Sequence, residues 1–253
     1  MRTSLRVILL ILIVVSLTAA FSTPATATLI DRGNGLIFDN VLNITWLQNA
    51  NYAATELTAT RVTAIIAEVG SVAGHALTTD DFFPNGTGKM TWWRAMAWAQ
   101  ALNFGGFDDW RLPSTDVNGD GTVVNCLTNT DCPDNEYGHM FYQNLKETLG
   151  LSKTGDQVGD GGVTLNNIQS YYWSGTVFMA DPADFWGCYF ESGGQCFSTS
   201  RWADRVAWAV RDGDVAAVPE PGTLCLLASG LAGLGGVAWR RSRLPGQHRA
   251  AER

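Results

Sequence analysis

The sequence predicts an α+β fold, and three observations carry that prediction. An Asn34-Gly35 pair between two short apolar runs marks an early β-hairpin, apolar residues recur at helical spacing in the central part, and the last third alternates as antiparallel strands do. Between the helical part and an acidic loop lies Gly105-Gly106-Phe107-Asp108-Asp109-Trp110-Arg111-Leu112-Pro113, the turn around which the rest is arranged.

Taken in order, residues 1–27 read as a secretory signal. Arg2 and Arg6 precede an apolar run over 7–17, and Ala25-Thr26-Ala27 is a small-residue cleavage site. The mature chain is then expected to begin near Thr28, outside the cytoplasm. Residues 29–39 form the hairpin, and 41–47 continue it as a β-ribbon that includes Trp46. Over 57–69, Val62, Ile65, Ile66 and Val69 share one helical face. Residues 70–89 show no clear element. Thr91 is the expected N-cap of a helix over 92–103, with Ala95, Trp98, Ala99 and Leu102 on one face. Trp92 and Trp93 widen that face. An aromatic sugar platform is one reading of these tryptophans; core packing is the expected one at this spacing.

In the central turn the two glycines are expected to end the helix, and Pro113 blocks another from starting at once. Asp109, Trp110, Arg111, Leu112 and Pro113 read as a structural turn, with Trp110 buried and Arg111 paired to Asp108 and Asp109. Asp116-Val117-Asn118-Gly119-Asp120-Gly121 then matches the first half of a calcium loop, with oxygen side chains at positions one, three and five and glycine at six. Position twelve is Leu127, where a bidentate carboxylate belongs. Asp131 and Asp134 follow, so Asp116, Asn118, Asp120, Asp131 and Asp134 are the candidate metal ligands and calcium the candidate cofactor; a solvated acidic turn is the alternative.

Residues 136–149 place Phe141, Leu145 and Leu149 four apart on a helix that Gly150 ends. A glycine-rich loop over 155–162 leads to strands at 169–176, 184–190, 196–200 and 205–211. Four of the five cysteines, Cys126, Cys132, Cys188 and Cys196, lie outside the apolar C-terminal segment. They allow three pairings, and the two local ones are favoured in an oxidising compartment. Cys188 faces Cys196 if 191–193 make a three-residue loop, so that bridge predicts a strand register. No C-x-x-C occurs and His75, His139 and His248 are scattered, which argues against zinc.

The apolar segment 224–239 is followed by Arg240, Arg241 and Arg243. Sixteen helical residues reach roughly 24 Å against a hydrocarbon core of about 30 Å, a short transmembrane span. The basic cluster would stay cytoplasmic, as would the polar tail 244–253. Between the two ends, ten Lys and Arg against 22 Asp and Glu leave a formal charge near −12. Such a domain repels nucleic acid and other polyanions.

Three stretches, DWRLP (109–113), YYWSGT (171–176) and AWAVRDGDV (207–215), together with Gly138-His139-Met140-Phe141-Tyr142, resemble the Lcl C-terminal domain family, the sugar-binding end of a bacterial collagen-like adhesin. The resemblance implies a C-type-lectin-like domain over 28–217: paired N- and C-terminal strands, two amphipathic helices on a mixed, mainly antiparallel sheet, and long loops as the ligand surface. The calcium-dependent sugar motifs of C-type lectins are absent, and Trp202-Ala203-Asp204 is a poor echo of their Trp-Asn-Asp. Sulfated-glycan binding within the family sits badly with the negative charge.

Residues 218–243 resemble a PEP-CTERM sorting tail: Pro219-Glu220-Pro221, the apolar segment, then Arg240 and Arg241. This implies processing by exosortase, transient anchoring in the inner membrane, and delivery to the surface or exopolysaccharide matrix of a Gram-negative bacterium. The expected function is a non-catalytic surface or matrix protein that binds extracellular glycan. A structural or protein-interaction subunit, with Trp173, Trp186, Trp202 and Trp208 as core or interface, is the alternative. An oxidase-like enzyme on a similar fold is less favoured, because its cysteines would have to be free.

Overall fold

In a computed structural model of the chain, Asn34 and Gly35 sit at φ 54° and 80°, the left-handed pair that a two-residue hairpin turn requires. They join β1 (Leu29–Gly33) to β2 (Leu36–Asp39). The residues described are 29–82, 86–124, 126, 132–146, 152–177, 184–191, 196–200 and 202–215. The signal peptide, the apolar segment 224–239, the sorting motif and the polar tail lie outside them. Among the described residues no helix is long and apolar enough to cross a membrane.

β3 (Ile44–Leu47) follows after a turn in which one Asp39 carboxylate oxygen accepts from the Val41 and Leu42 amides at 2.9 and 3.1 Å. The helices are α1 (Ala53–Glu56), α2 (Ala59–Val69), α3 (Trp92–Ala101) and α4 (Glu136–His139). Thr58 caps α2 by accepting from the Arg61 amide, and Val62 and Ile65 are its buried residues. Thr91 does precede α3, but its hydroxyl makes no capping bond. The helix expected over 136–149 is shorter. After α4 the backbone widens into a π-turn over Met140–Asn144, and Lys146 at φ 52° leaves the helical region; Phe141 and Leu145 are buried, and Leu149 is outside the described residues.

The described residues of 70–89 contain elements that their pattern does not show. They hold β4 (Ser71–Val72) and β5 (His75–Ala76), a short hairpin, and then β6 (Lys89–Met90). The glycine-rich stretch likewise forms a hairpin, β7 (Gly155–Val158) with β8 (Thr164–Ile168). β9 (Tyr171–Val177), β10 (Asp184–Tyr189) and β11 (Cys196–Ser200) follow close to expectation. Cys188 pairs with Cys196 in the ladder and the two are bridged, so the register that the bridge predicted is the observed one.

The strand expected over 205–211 is broken into β12 (Arg205–Val206) and β13 (Val210–Asp212), which belong to different sheets. Between them Ala207, Trp208 and Ala209 are buried, and the Trp208 indole N–H donates to the Leu47 carbonyl at 2.6 Å. That indole fills the space between the sheets, so the chain leaves one to enter the other.

One sheet runs β1-β2-β3-β13, all antiparallel; the other runs β11-β10-β9-β12-β6, with β12 parallel to β9. The fold is therefore α+β with a mixed, mainly antiparallel arrangement. The C-terminal strand joins the N-terminal sheet through β3, however, and β1 lies at the opposite edge. The core is dominated by aromatics. Trp46, Trp98, Trp173 and Trp208 are fully buried, each removing roughly 150–250 Å² from water, a gross gain of roughly 4–6 kcal/mol before ordering entropy.

Candidate functional site

The central turn forms a charged corner beside an open cavity. The Arg111 amide donates to the Val210 carbonyl at 2.8 Å and accepts the Val210 amide on its own carbonyl at 2.9 Å, which docks the turn on β13. The guanidinium donates two bonds to the Glu136 carboxylate, at 2.8 and 2.7 Å, and two to Asp212, the shorter at 2.6 Å. Glu136 also accepts from the Ser114 amide at 2.7 Å. Burial by itself would lower the Arg111 pKa; hydrogen bonds and charge from Glu136, then Asp212, outweigh it and hold it above its ordinary value.

The acidic partners expected for Arg111 are therefore the wrong ones. Asp109 binds Arg211 instead, through two bonds of 2.7 and 2.8 Å, and the Arg211 guanidinium lies over the Phe107 ring. Nor do Gly105 and Gly106 end a helix. α3 stops at Ala101, and the glycines make a tight turn between Phe104 and Phe107. Trp110 and Leu112 are buried, and the Pro113 carbonyl accepts from the Gly175 amide at 2.9 Å. The adjoining cavity, about 510 Å³, is lined by Met96, Arg111, Asp116, Glu136, Thr176 and Asp212 among others. Residues from all three resemblance-bearing stretches meet there.

The acidic loop gathers Asp116, Asn118, Asp120 and Asp134, while Asp131 is outside the described residues. The Asp116 oxygens accept the Asp120 and Gly121 amides at 3.1 and 2.9 Å, Asp120 accepts the Thr122 amide at 2.7 Å, and Asp134 accepts the Asn118 amide at 2.8 Å. Much of the oxygen set thus holds the loop's own backbone. Among the described residues no three His, Cys, Asp or Glu are grouped as a metal ion needs.

Both local disulfides, Cys126–Cys132 and Cys188–Cys196, are formed, and they flank the start of α4. Asn135, its N-cap, accepts from the Gly138 amide at 2.9 Å and donates to the Val124 carbonyl at 3.0 Å, beside the Cys196 sulfur. A Cβ on Gly138 would fall 2.2 Å from the Cys126 sulfur, so only glycine fits at this approach.

A second surface feature is aromatic. Ala73 and Gly74, at φ 48° and 80°, turn the chain between β4 and β5 and bring His75 onto Trp93, rings stacked at 4.1 Å. His75 Nε2 lies 2.8 Å from an Asp81 oxygen. Trp202 meets Trp93 edge-on at 4.8 Å and is 62 % exposed. Beneath, Arg94 is buried, which pushes its pKa down to about 10 against the opposing charge of Asp204 in the Trp202 loop. The corner between these rings and the turn is an open, shallow hollow of about 260 Å³.

Residues 35–211 match the model of the Lcl C-terminal domain. The chain belongs to the Lcl C-terminal domain family. Residues 217–242 match the PEP-CTERM protein-sorting motif, which implies export to the cell envelope of a Gram-negative bacterium and sorting by exosortase. No curated protein and no solved structure matches the chain. The two families point to a sorted surface protein rather than an enzyme.

Within the Lcl domain, Trp92 and Trp93 are core residues as their helical spacing suggests, and Trp173 and Trp208 are buried too. Trp202 is the exception. His75 and the turn before it were missed because two-residue strands carry no countable alternation; the Ala73-Gly74 dipeptide was the available signal.

Proposed function

We propose that this protein is a non-catalytic surface or exopolysaccharide-matrix component whose Lcl domain, read as C-type-lectin-like, binds extracellular glycan. The observation that carries this is Trp202: seven of the nine tryptophans in the described residues are buried and Trp186 is half-buried, whereas Trp202 presents its indole to solvent beside a polar turn. The charge near −12 directs the choice away from anionic polymers. Segment 224–239 serves as a temporary inner-membrane anchor, with Arg240 and Arg241 on the cytoplasmic side, and exosortase cuts near Pro219-Glu220-Pro221. The same reading assigns calcium to the 116–121 loop, where Asp131 would have to complete a donor set that the described residues leave short.

A glycan array probed with residues 28–217, in calcium and in chelator, tests the binding; silence on every glycan removes it. The bridging of all four domain cysteines supports the non-catalytic reading, and native alkylation at Cys188 or Cys196 would count against it. A structural or protein-interaction subunit is the second reading. It is favoured by the outer face of the five-stranded sheet, where Tyr189 stacks on Phe197 at 4.0 Å, Tyr171 meets Tyr189 at 4.4 Å, and Arg205 lies over Tyr171. Sedimentation decides it: a strict monomer at all concentrations argues against a subunit.

A further inference from the structure

We propose that the corner formed by the Ala73-Gly74 turn, His75, Trp93 and Trp202 is the glycan subsite and takes one neutral pyranose ring stacked on Trp202. This deepens the functional reading above and rests on it. The indole packs against the buried Trp93 ring at 4.8 Å and 71°, so a ligand meets an aromatic wall that is already backed from within. The second wall is His75, set nearly parallel on Trp93 at 19° and tied through Nε2 to Asp81. Ala73 and Gly74 line the remaining side. Their turn adds backbone amides and carbonyls, obligatory hydrogen-bonding groups, to the corner.

An aromatic face at right angles to a polar rim matches an amphipathic ring: a patch of sugar C–H groups for the indole and hydroxyls for the histidine and backbone. Among the described residues no lysine or arginine lines the corner, and the domain is strongly acidic, which disfavours a uronate or sulfated ring here. A quaternary ammonium would also favour the indole face, but it could not use the polar rim. The open hollow, about 260 Å³, lies below the ~300–1,000 Å³ usual for whole small-molecule sites. The corner therefore holds one ring of a longer chain, the rest of which extends into solvent.

The test is a fluorescence titration of the full exported chain with neutral gluco- and galacto-oligosaccharides, with uronate and sulfated counterparts, and with choline. For wild type, a saturable blue shift is expected with a neutral sugar, because stacking dries an exposed indole. Trp202→Ala should weaken that binding about tenfold or more, the size of one lost aromatic contact, while Trp202→Phe should stay within about threefold of wild type. Both variants should keep the wild-type melting temperature, since the side chain is exposed. If Trp202→Ala binds as wild type does, the corner is not the site although the domain remains a glycan binder. If wild type is silent toward every sugar, the glycan reading falls and the subsite with it. A response only to anionic sugars or to choline overturns the ligand class.

Discussion

Replacing Arg111 by alanine should destabilise the domain far more than loss of a surface ion pair would. Glu136 has 3 % of its side chain exposed and takes two of its described hydrogen bonds from the Arg111 guanidinium; the Ser114 amide at 2.7 Å is the one left. Removing one partner of a buried pair costs about 3–5 kcal/mol, because the other charge is stranded. Arg111 is 35 % exposed on the cavity side, so water entering the gap should hold the loss near the lower end, about 3 kcal/mol. For a domain of this size that is a fall of roughly 6–12 °C in melting temperature. Urea denaturation followed by tryptophan fluorescence measures it directly, and the m-value should not change. The double variant Arg111→Met with Glu136→Leu should recover most of the loss, since the stranded charge is gone. A single-variant effect under about 1 kcal/mol would refute the reasoning and place the corner with ordinary surface pairs.

Opening the Cys188–Cys196 bridge, which spans eight residues in sequence, should cost about 2–3 kcal/mol by loop-closure entropy, seen as a lower melting temperature of Cys188→Ala with Cys196→Ala. The hydrogen bond from Arg211 holds the Asp109 carboxyl below its usual range, so the pair stabilises the fold above the ordinary carboxylate pKa. That contribution is lost as pH falls through the depressed value. Asp109→Asn should therefore flatten the acid limb of a plot of melting temperature against pH; an unchanged limb would show that the pair is inert. Calcium, if the 116–121 loop takes it, should raise the melting temperature and give heat in calorimetry, whereas neither effect with saturating calcium removes the ion from the account.

Features set by neighbours along the chain could be read from the sequence. Asn34-Gly35 dictates a turn through its own backbone preferences, and Cys188 finds Cys196 because only a short loop separates them. Contacts between distant parts could not. Arg111 has nearby carboxylates in Asp108 and Asp109, but its partners are 25 and 101 residues away, chosen by where α4 and β13 pack. The break at Ala207-Trp208-Ala209 is similar: alternation continues through it, and only the Leu47 carbonyl, 161 residues back, shows why the chain changes sheets. Half of the aromatic corner was in view as Trp202; His75 comes to it from a hairpin too short to leave a periodic trace.

β13 is paired on one side with β3 and bridged at Val210 on the other to Arg111. Any pull on the chain beyond residue 215 reaches the domain through this strand. Because β13 is gripped on both flanks and braced by the Arg111–Asp212 contact, traction along its axis loads several hydrogen bonds in parallel instead of peeling them one at a time. Detaching β13 therefore requires its bonds to β3 and to Arg111 to break together.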